Sequence, residues 1–421
     1  MLTVNKDKLC DNELICAGFR LCEEIVRDGY EAYLVGGCVR DILLDQQIHD
    51  VDVATNMPLD KLKAKFYWHD NNGEKHGTIL VNFAGHYIET TQFRTDGNYS
   101  DGRHPDDVEF GQSFEEDTKR RDFTINAMGI DYTGKIVDYQ HGQDDIAQCL
   151  IRTVGDPYER FKEDALRMIR AIRFAARFGF VIEHNTAQAI KDLKENIELV
   201  ARERIGEEIK KAISYGTAAF KNFVDLLDKS GLALIIGQGL VNWSKTEKLI
   251  DRYRNEIADN TIPVCREDIE NLMLVFMLEP SRDLDNAVKA FRYDNKLLGL
   301  LKYIRQYKDL GTADVFSKKN FVRLVKASTS PHFSLFLNYM RTLALFELSD
   351  FELQGIAHVA ESLEKIHDFV ADAMAKCGYT GKTYGEVLAK FEEWYCYETW
   401  HLKQPDEHMI RMFIMAHIIK D

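Results

Sequence analysis

Two aspartates one residue apart, Asp50 and Asp52, stand between valines in His49-Asp50-Val51-Asp52-Val53. On an extended strand, residues i and i+2 point to the same face, so this pattern sets two carboxylates side by side and turns Val51 and Val53 into a core. Like charges so close repel unless something compensates. Oxygen-only ligands suit Mg²⁺, which usually also holds substrate phosphates. A solvated strand edge with alternating acids is the other reading of Asp-x-Asp taken alone. Just before it, Tyr33-Leu34-Val35-Gly36-Gly37-Cys38-Val39-Arg40-Asp41-Ile42-Leu43-Leu44 reads as strand, glycine turn, helix. Gly36 and Gly37 would let backbone N–H groups approach a phosphate, and the helix start behind them favours an anion. Two-metal phosphoryl chemistry often uses a further acid. Glu89, in the middle of the β-rich run His86–Phe93, is the candidate, with an exposed strand acid as its alternative.

Further along, Arg120-Arg121-Asp122-Phe123-Thr124-Ile125-Asn126-Ala127-Met128 sets arginines that can fork onto phosphate oxygens beside an acid that can accept from a ribose hydroxyl. The same segment also reads as a helix start capped by Asp122 or Thr124. Then Phe161–Phe178 shows one strong helical pattern, stopped by Gly179. On it Glu163, Arg167, Arg170 and Arg177 share a side, and Asp164 lies three residues before Arg167. An Asp–Arg pair offers an acceptor and donors that could meet the Watson–Crick edge of a nucleotide base. Taken on the helix alone, an i,i+3 and i,i+4 ion-pair network is the stronger reading.

The elements that must hold these groups differ between the two ends of the chain. Residues 1–150 contain most of the strand signals: Tyr33–Val35, Val51 with Val53, Thr78–Phe83 and His86–Phe93 around an Ala84-Gly85 hairpin turn, and Ile136–Asp138. A helical pattern runs from Lys8 to Asp28. After Asp156-Pro157 helical patterns continue to the end, with Gly216-Thr217, Gly311-Thr312 and Pro331 as joints. The fold class expected is α+β, a head with a small mixed sheet followed by an all-helical remainder. No apolar run approaches the ~18 residues of a membrane span, and no secretory leader is visible at Met1–Asp11. The eight cysteines contain no CxxC pair, so free thiols in a cytoplasmic protein are expected.

In order and spacing, these motifs resemble those of class II tRNA nucleotidyltransferases, the CCA-adding enzymes, and of the related bacterial poly(A) polymerases, in the polymerase-β-like nucleotidyltransferase superfamily. Leu34–Asp41 with Asp50-Val51-Asp52 is similar to the first catalytic motif, and Arg120–Met128 to the ribose-selecting motif. Glu163-Asp164-Ala165-Leu166-Arg167 is similar to the protein template for base choice, and Arg202-Glu203-Arg204-Ile205-Gly206-Glu207-Glu208 to the later helix-stabilising motif. Gly73-Glu74-Lys75-His76-Gly77-Thr78 resembles a stretch of the tRNA-specific members, and the polar loop Arg94–Pro105 resembles the family's flexible loop, whose presence favours the ability to add A. The resemblance implies a polymerase-β-like palm in a catalytic head (1–150), a nucleotide-selecting neck (151–215), a helical body (216–330) and an RNA-binding helical tail (331–421). It implies template-independent addition of C, C and A to tRNA from CTP and ATP, with pyrophosphate released and two Mg²⁺ ions. A-only, CC-only or poly(A) addition are the neighbouring activities, and an inactive RNA-binding relative a remoter one. Asp50 and Asp52 would bind metal, with Glu89 as a third catalytic acid. Gly36, Gly37 and Arg40 would lie near the triphosphate, beside Arg121. Asp122 would read the ribose 2′-hydroxyl, and Asp164 and Arg167 would select CTP and then ATP, Glu163 orienting Arg167; Asn126 and Arg170 would also bind the nucleotide.

Charge first argues the other way. With 54 Lys+Arg and 68 Asp+Glu the chain carries −14, a poor match to phosphates. The acidity is uneven, however. Residues 151–215 hold 13 basic and 11 acidic side chains, residues 331–421 hold 8 and 14. RNA is therefore expected along the head and the neck face bearing Arg167, Arg170 and Arg177.

Overall fold

A seven-stranded mixed sheet carries the carboxylates, in the order β3-β4-β5-β2-β1-β8-β9. Its strands are Ala32–Val35 (β1), Asp52–Thr55 (β2), Tyr67–His69 (β3), Thr78–Phe83 (β4), His86–Gln92 (β5), Met128–Asp131 (β8) and Ile136–Asp138 (β9). Arg94–Asp96 (β6) and Val108–Phe110 (β7) form a separate antiparallel pair. The computed structural model describes residues 3–70, 74, 77–96, 108–111, 113–238, 240–241, 243–256, 266–279, 281–312, 316–343, 348–376, 378–401, 405 and 407–418. Most of the loop Arg94–Pro105, and Gly73, Lys75 and His76 of the Gly-x-x-His-Gly-Thr stretch, lie outside the described residues. The chain divides into two compact units, Met1–Gln238 and Gly239–Asp421.

Alternation along the strands sorts the sheet into two faces. Leu34, Val53, Ile79, Val81, Ile88 and Ile130 are buried on one face with Phe19, Leu21 and Ile25 of helix Glu13–Arg27. Gly18 of that helix is a close-approach position. A Cβ there would stand 2.7 Å from Val51 Cγ1 and 2.8 Å from Leu34 Cδ2. On the other face Val35, Ala54, Phe93 and Phe114 form a smaller core, flanked by Tyr33 and Val137. The expected single helix Lys8–Asp28 is two pieces, Lys6–Leu9 (α1) and Glu13–Arg27 (α2), because Asn12 accepts from Leu14 N and Ile15 N and starts a new helix. The Ala84-Gly85 turn forms as expected, both residues at positive φ (51° and 84°), and joins β4 to β5.

The helices that serve the site are Gly37–Leu43 (α3), Leu59–Lys65 (α4), Phe114–Lys119 (α5), Gly142–Ala147 (α6), Pro157–Glu163 (α7), Leu166–Phe178 (α8), His184–Asp192 (α9) and Arg202–Ser214 (α10). The single helix expected over Phe161–Phe178 is broken between α7 and α8. Asp164 is extended there (φ −150°, ψ 103°), and its carboxylate accepts from Leu166 N. Its side chain thus competes for the backbone that a continuous helix would use. Gly179 ends α8 in the left-handed region (φ 68°). Among the described residues, the second unit is built of helices from Trp243–Glu256 to Glu407–Ile418, and no helix of the protein is long and apolar enough to cross a membrane.

Candidate active site

Strand pairing brings the proposed acids together. β2 runs parallel to β5 with Asp52 opposite Glu89, and antiparallel to β1 with Asp52 opposite Val35. The strand begins at Asp52, so Asp50 lies just before it, outside the ladder. Desolvation, then the charges of Glu89 and Asp50, outweigh Arg121 and raise Asp52 from 3.8 to about 6. Desolvation and the Asp50 charge raise Glu89 as well. Two neighbouring carboxyls raised in this way mark a site short of positive charge. Their donor set is oxygen alone, which fits a hard divalent cation. The described residues hold no pre-formed cluster of three or more metal-binding side chains. Any ion would complete its shell with substrate and water, as Mg²⁺ usually does.

The glycine turn sits directly over this group. Gly36 has φ 74°, and a Cβ on it would stand 3.5 Å from Asp52 Oδ2 and 3.7 Å from Arg121 Nη1. Any other residue would strain the turn at this positive φ, although its Cβ alone would make only ordinary contact with the carboxylate. Arg121 is aimed there by an acid that the sequence reading passed over. Asp117, on α5 and fully buried, accepts from Arg120 Nε at 2.9 Å and from Arg121 Nη2 at 3.0 Å. Burial alone would raise Asp117; the two arginines outweigh it and hold its carboxyl low. Its spacing of three and four residues from Arg120 and Arg121 was the available signal.

Arg40 and Asn126 form a second layer. The Arg40 guanidinium is 4% exposed, stacks over Phe174 and Phe178, and donates to Asp41 Oδ1 (2.8 Å) and Asn126 Oδ1 (2.6 Å). It reaches the site through Asn126, whose Nδ2 donates to Asp122 Oδ1 at 3.1 Å. The segment Thr124–Asn126 is a short 3-10 turn. Asp122 Oδ2 accepts from Arg170 Nε and Nη2 at 2.9 and 2.5 Å. Burial would raise Asp122, but Arg170 and the Asn126 bond outweigh it and hold the carboxyl at about 2.

The neck residues pair differently from the helix-face expectation. Arg167 meets Glu163 (2.6 Å), as the resemblance implied. Asp164 is not its partner: Arg204 of α10 grips Asp164 through Nη1 and Nη2 at 3.2 and 2.7 Å. One turn along α10, Glu208 is 2.5 Å from Arg173 and 3.8 Å from Arg170. On the expected RNA face each of Arg167, Arg170 and Arg177 already has a protein partner. Arg170 pairs with Asp122 and Arg177 with Asp41 at 3.1 Å, both in the head, while Arg167 Nη1 donates to Arg160 O within the neck. A charge count could not tell a free arginine from a paired one.

Residues 32–152 match the family described as Poly A polymerase head domain, and residues 179–240 the one described as Probable RNA and SrmB- binding site of polymerase A. The CCA-adding enzyme of Lactobacillus helveticus is 37% identical over 284 residues, 67% of this chain and 68% of that one. That of Lactobacillus gasseri is 33% identical over 370 residues, 86% of this chain and 87% of its own. The match to the Oceanobacillus iheyensis CCA-adding enzyme is 44% identical and spans 45% of this chain and 50% of that one. The crystal structure of the Bacillus stearothermophilus CCA-adding enzyme in complex with CTP shares the fold at a TM-score of 0.65 and 26% identity, over 95% of this chain and 96% of that one.

Proposed function

The chain belongs to the family of CCA-adding enzymes, and from that premise we propose that it adds C, C and A to the 3′ end of tRNA from CTP and ATP. The observation that carries this reading is Asp52 opposite Glu89, with Asp50 beside them, under the glycine turn and next to Arg121. In the proposed reaction the tRNA 3′-oxygen attacks the α-phosphorus of the nucleotide. The bond from that phosphorus to the bridging oxygen breaks, and pyrophosphate leaves. Asp50 and Asp52 would hold Mg²⁺, with Glu89 adding charge. The metal's contribution is to neutralise phosphate charge and make the 3′-hydroxyl more acidic.

The protein's own share is positioning and electrostatics. Arg121, aimed by Asp117, faces the phosphates. Asp122 accepts from the ribose 2′-hydroxyl, held in place by Arg170 and Asn126. Arg167, held by Glu163, and Asp164, held by Arg204, meet the base edge. In this division the head (1–150) performs the transfer, the neck (151–215) selects the nucleotide, the body (216–330) is helical and the tail (331–421) binds RNA. The place of work proposed is the cytoplasm, where these substrates meet.

Three tRNAs, ending before the CCA, after C and after CC, test the reading with single and mixed nucleotides and Mg²⁺. Ordered completion of CCA is expected. Repeated A on an unrelated RNA would turn the reading to a poly(A) polymerase, and growth of only one class of end to a CC- or A-adding enzyme.

A further inference from the structure

The sheet face that carries the carboxylates does not end at Glu89. Across β5, β4 and β3, Glu89 pairs with Leu80 and Leu80 with His69, while Tyr87 pairs with Asn82 and Asn82 with Tyr67. By strand alternation these six residues share the face of Asp52 and Glu89, while Trp68, Ile79, Val81 and Ile88 turn to the opposite core. The open face ends in three aromatic rings. Tyr67 is 68% exposed and Tyr87 55% exposed. His69 lies between them, with ring centroids 5.1 Å from Tyr67 and 5.5 Å from Tyr87. Large aromatics exposed on an open sheet face, each in contact with His69, are a liability in a protein with no use for them.

We propose that Tyr67, His69 and Tyr87 form a stacking site for the unpaired nucleotides at the 3′ end of the RNA substrate. The inference rests on the reading of Asp50, Asp52 and Glu89 as the catalytic acids. Neighbouring strands are about 4.8 Å apart, so His69 lies about 10 Å across the face from Glu89. A strand whose 3′-hydroxyl reaches Asp52 must lay its preceding nucleotides over some surface leaving the site, and this one is continuous with it. Its chemistry fits bases rather than phosphates. None of Tyr67, His69, Leu80, Asn82, Tyr87 and Glu89 is Lys or Arg, so the surface offers rings and no Lys or Arg to meet phosphates. Every base has a π-face, so stacking tolerates a 3′ end whose last base changes from one addition to the next. A protein partner is the competing occupant, and it has no reason to share a strand ladder with the catalytic acids.

The test uses the full chain, a tRNA ending in CC, and ATP. The paired change Tyr67→Ala with Tyr87→Ala should raise KM for tRNA about tenfold, while KM for ATP stays unchanged. Tyr67→Phe with Tyr87→Phe keeps the rings and should keep the wild-type KM. In a binding assay without nucleotide, trimming the unpaired 3′ nucleotides should weaken the wild-type complex about tenfold and the Ala variant little. An unchanged KM for tRNA in the Ala variant, or equal loss on trimming in both proteins, overturns the stacking site and leaves the face to a protein partner. A wild-type chain that extends no RNA at all would instead overturn the proposed function, and this inference with it.

Discussion

Asp52 stands directly opposite Glu89 across the parallel β2–β5 pair, and its carboxyl is raised to about 6. A raised acid binds its proton more tightly folded than unfolded. Its contribution to stability is therefore full below the ordinary 3.8 and is lost as pH rises through about 6. In chelator, Asp52→Asn should unfold like the wild type near pH 4. Above pH 6 it should be more stable by roughly 1–3 kcal/mol. Turnover should vanish, and added Mg²⁺ should raise the urea midpoint of the wild type only. A stability difference that stays flat from pH 4 to 8 would remove Asp52 from the centre of the repulsion.

Arg204 holds Asp164 with two hydrogen bonds, from another helix. Without it Asp164 keeps its backbone turn through Leu166 N but loses a fixed direction for its free edge. Arg204→Ala should narrow the CTP-over-ATP ratio of kcat/KM on tRNA lacking CCA by about tenfold, with a stability loss of about 1–2 kcal/mol. Arg204→Lys, which cannot fork onto the carboxylate, should recover stability better than selectivity. Unaltered nucleotide choice in the Ala variant would separate Asp164 from base selection.

Asp117 is fully buried between Arg120 and Arg121, and its pKa is lowered. Its contribution is present above the ordinary carboxylate range and is lost as pH falls below it. Asp117→Asn leaves two guanidinium groups without their counter-charge and should cost roughly 3–5 kcal/mol in urea unfolding. It should also raise KM for the nucleotide, because Arg121 loses the partner that aims it. A variant as stable as the wild type would show that the arginines find other partners.

The acids and the glycine turn were legible because strand alternation and a hairpin turn are local rules: Asp52, Gly36 and the Ala84-Gly85 turn all follow from near neighbours. What needed the fold was partner choice. Arg40 and Asn126 are 86 residues apart, and Arg170 and Asp122 are 48 apart. Helix spacing assigned Arg167, Arg170 and Arg177 to a common face correctly enough, but not what that face meets. The break at Asp164 was missed for a related reason. Apolar periodicity runs through it, while the Leu166 N bond and the Arg204 grip that stabilise it are polar.

The bond from Arg40 to Asn126 Oδ1 fixes which way the Asn126 amide faces, so that Nδ2 is left to donate to Asp122. If Asp122 reads the ribose as proposed, Arg40 acts on that choice although it lies on the helix that follows the glycine turn. Asn126→Ala should lower the preference for ATP over dATP about tenfold, with most of the change in kcat/KM for ATP. Arg40→Lys keeps a charge near Asp41 but cannot serve Asp41 and Asn126 together, and should give a similar loss. Because both act through one amide, the double variant should lose little more than either single one. That is a coupling of about 1 kcal/mol in a double-mutant cycle on the ATP/dATP ratio. Fully additive losses would mean that Arg40 influences the nucleotide by another route, through the glycine turn itself.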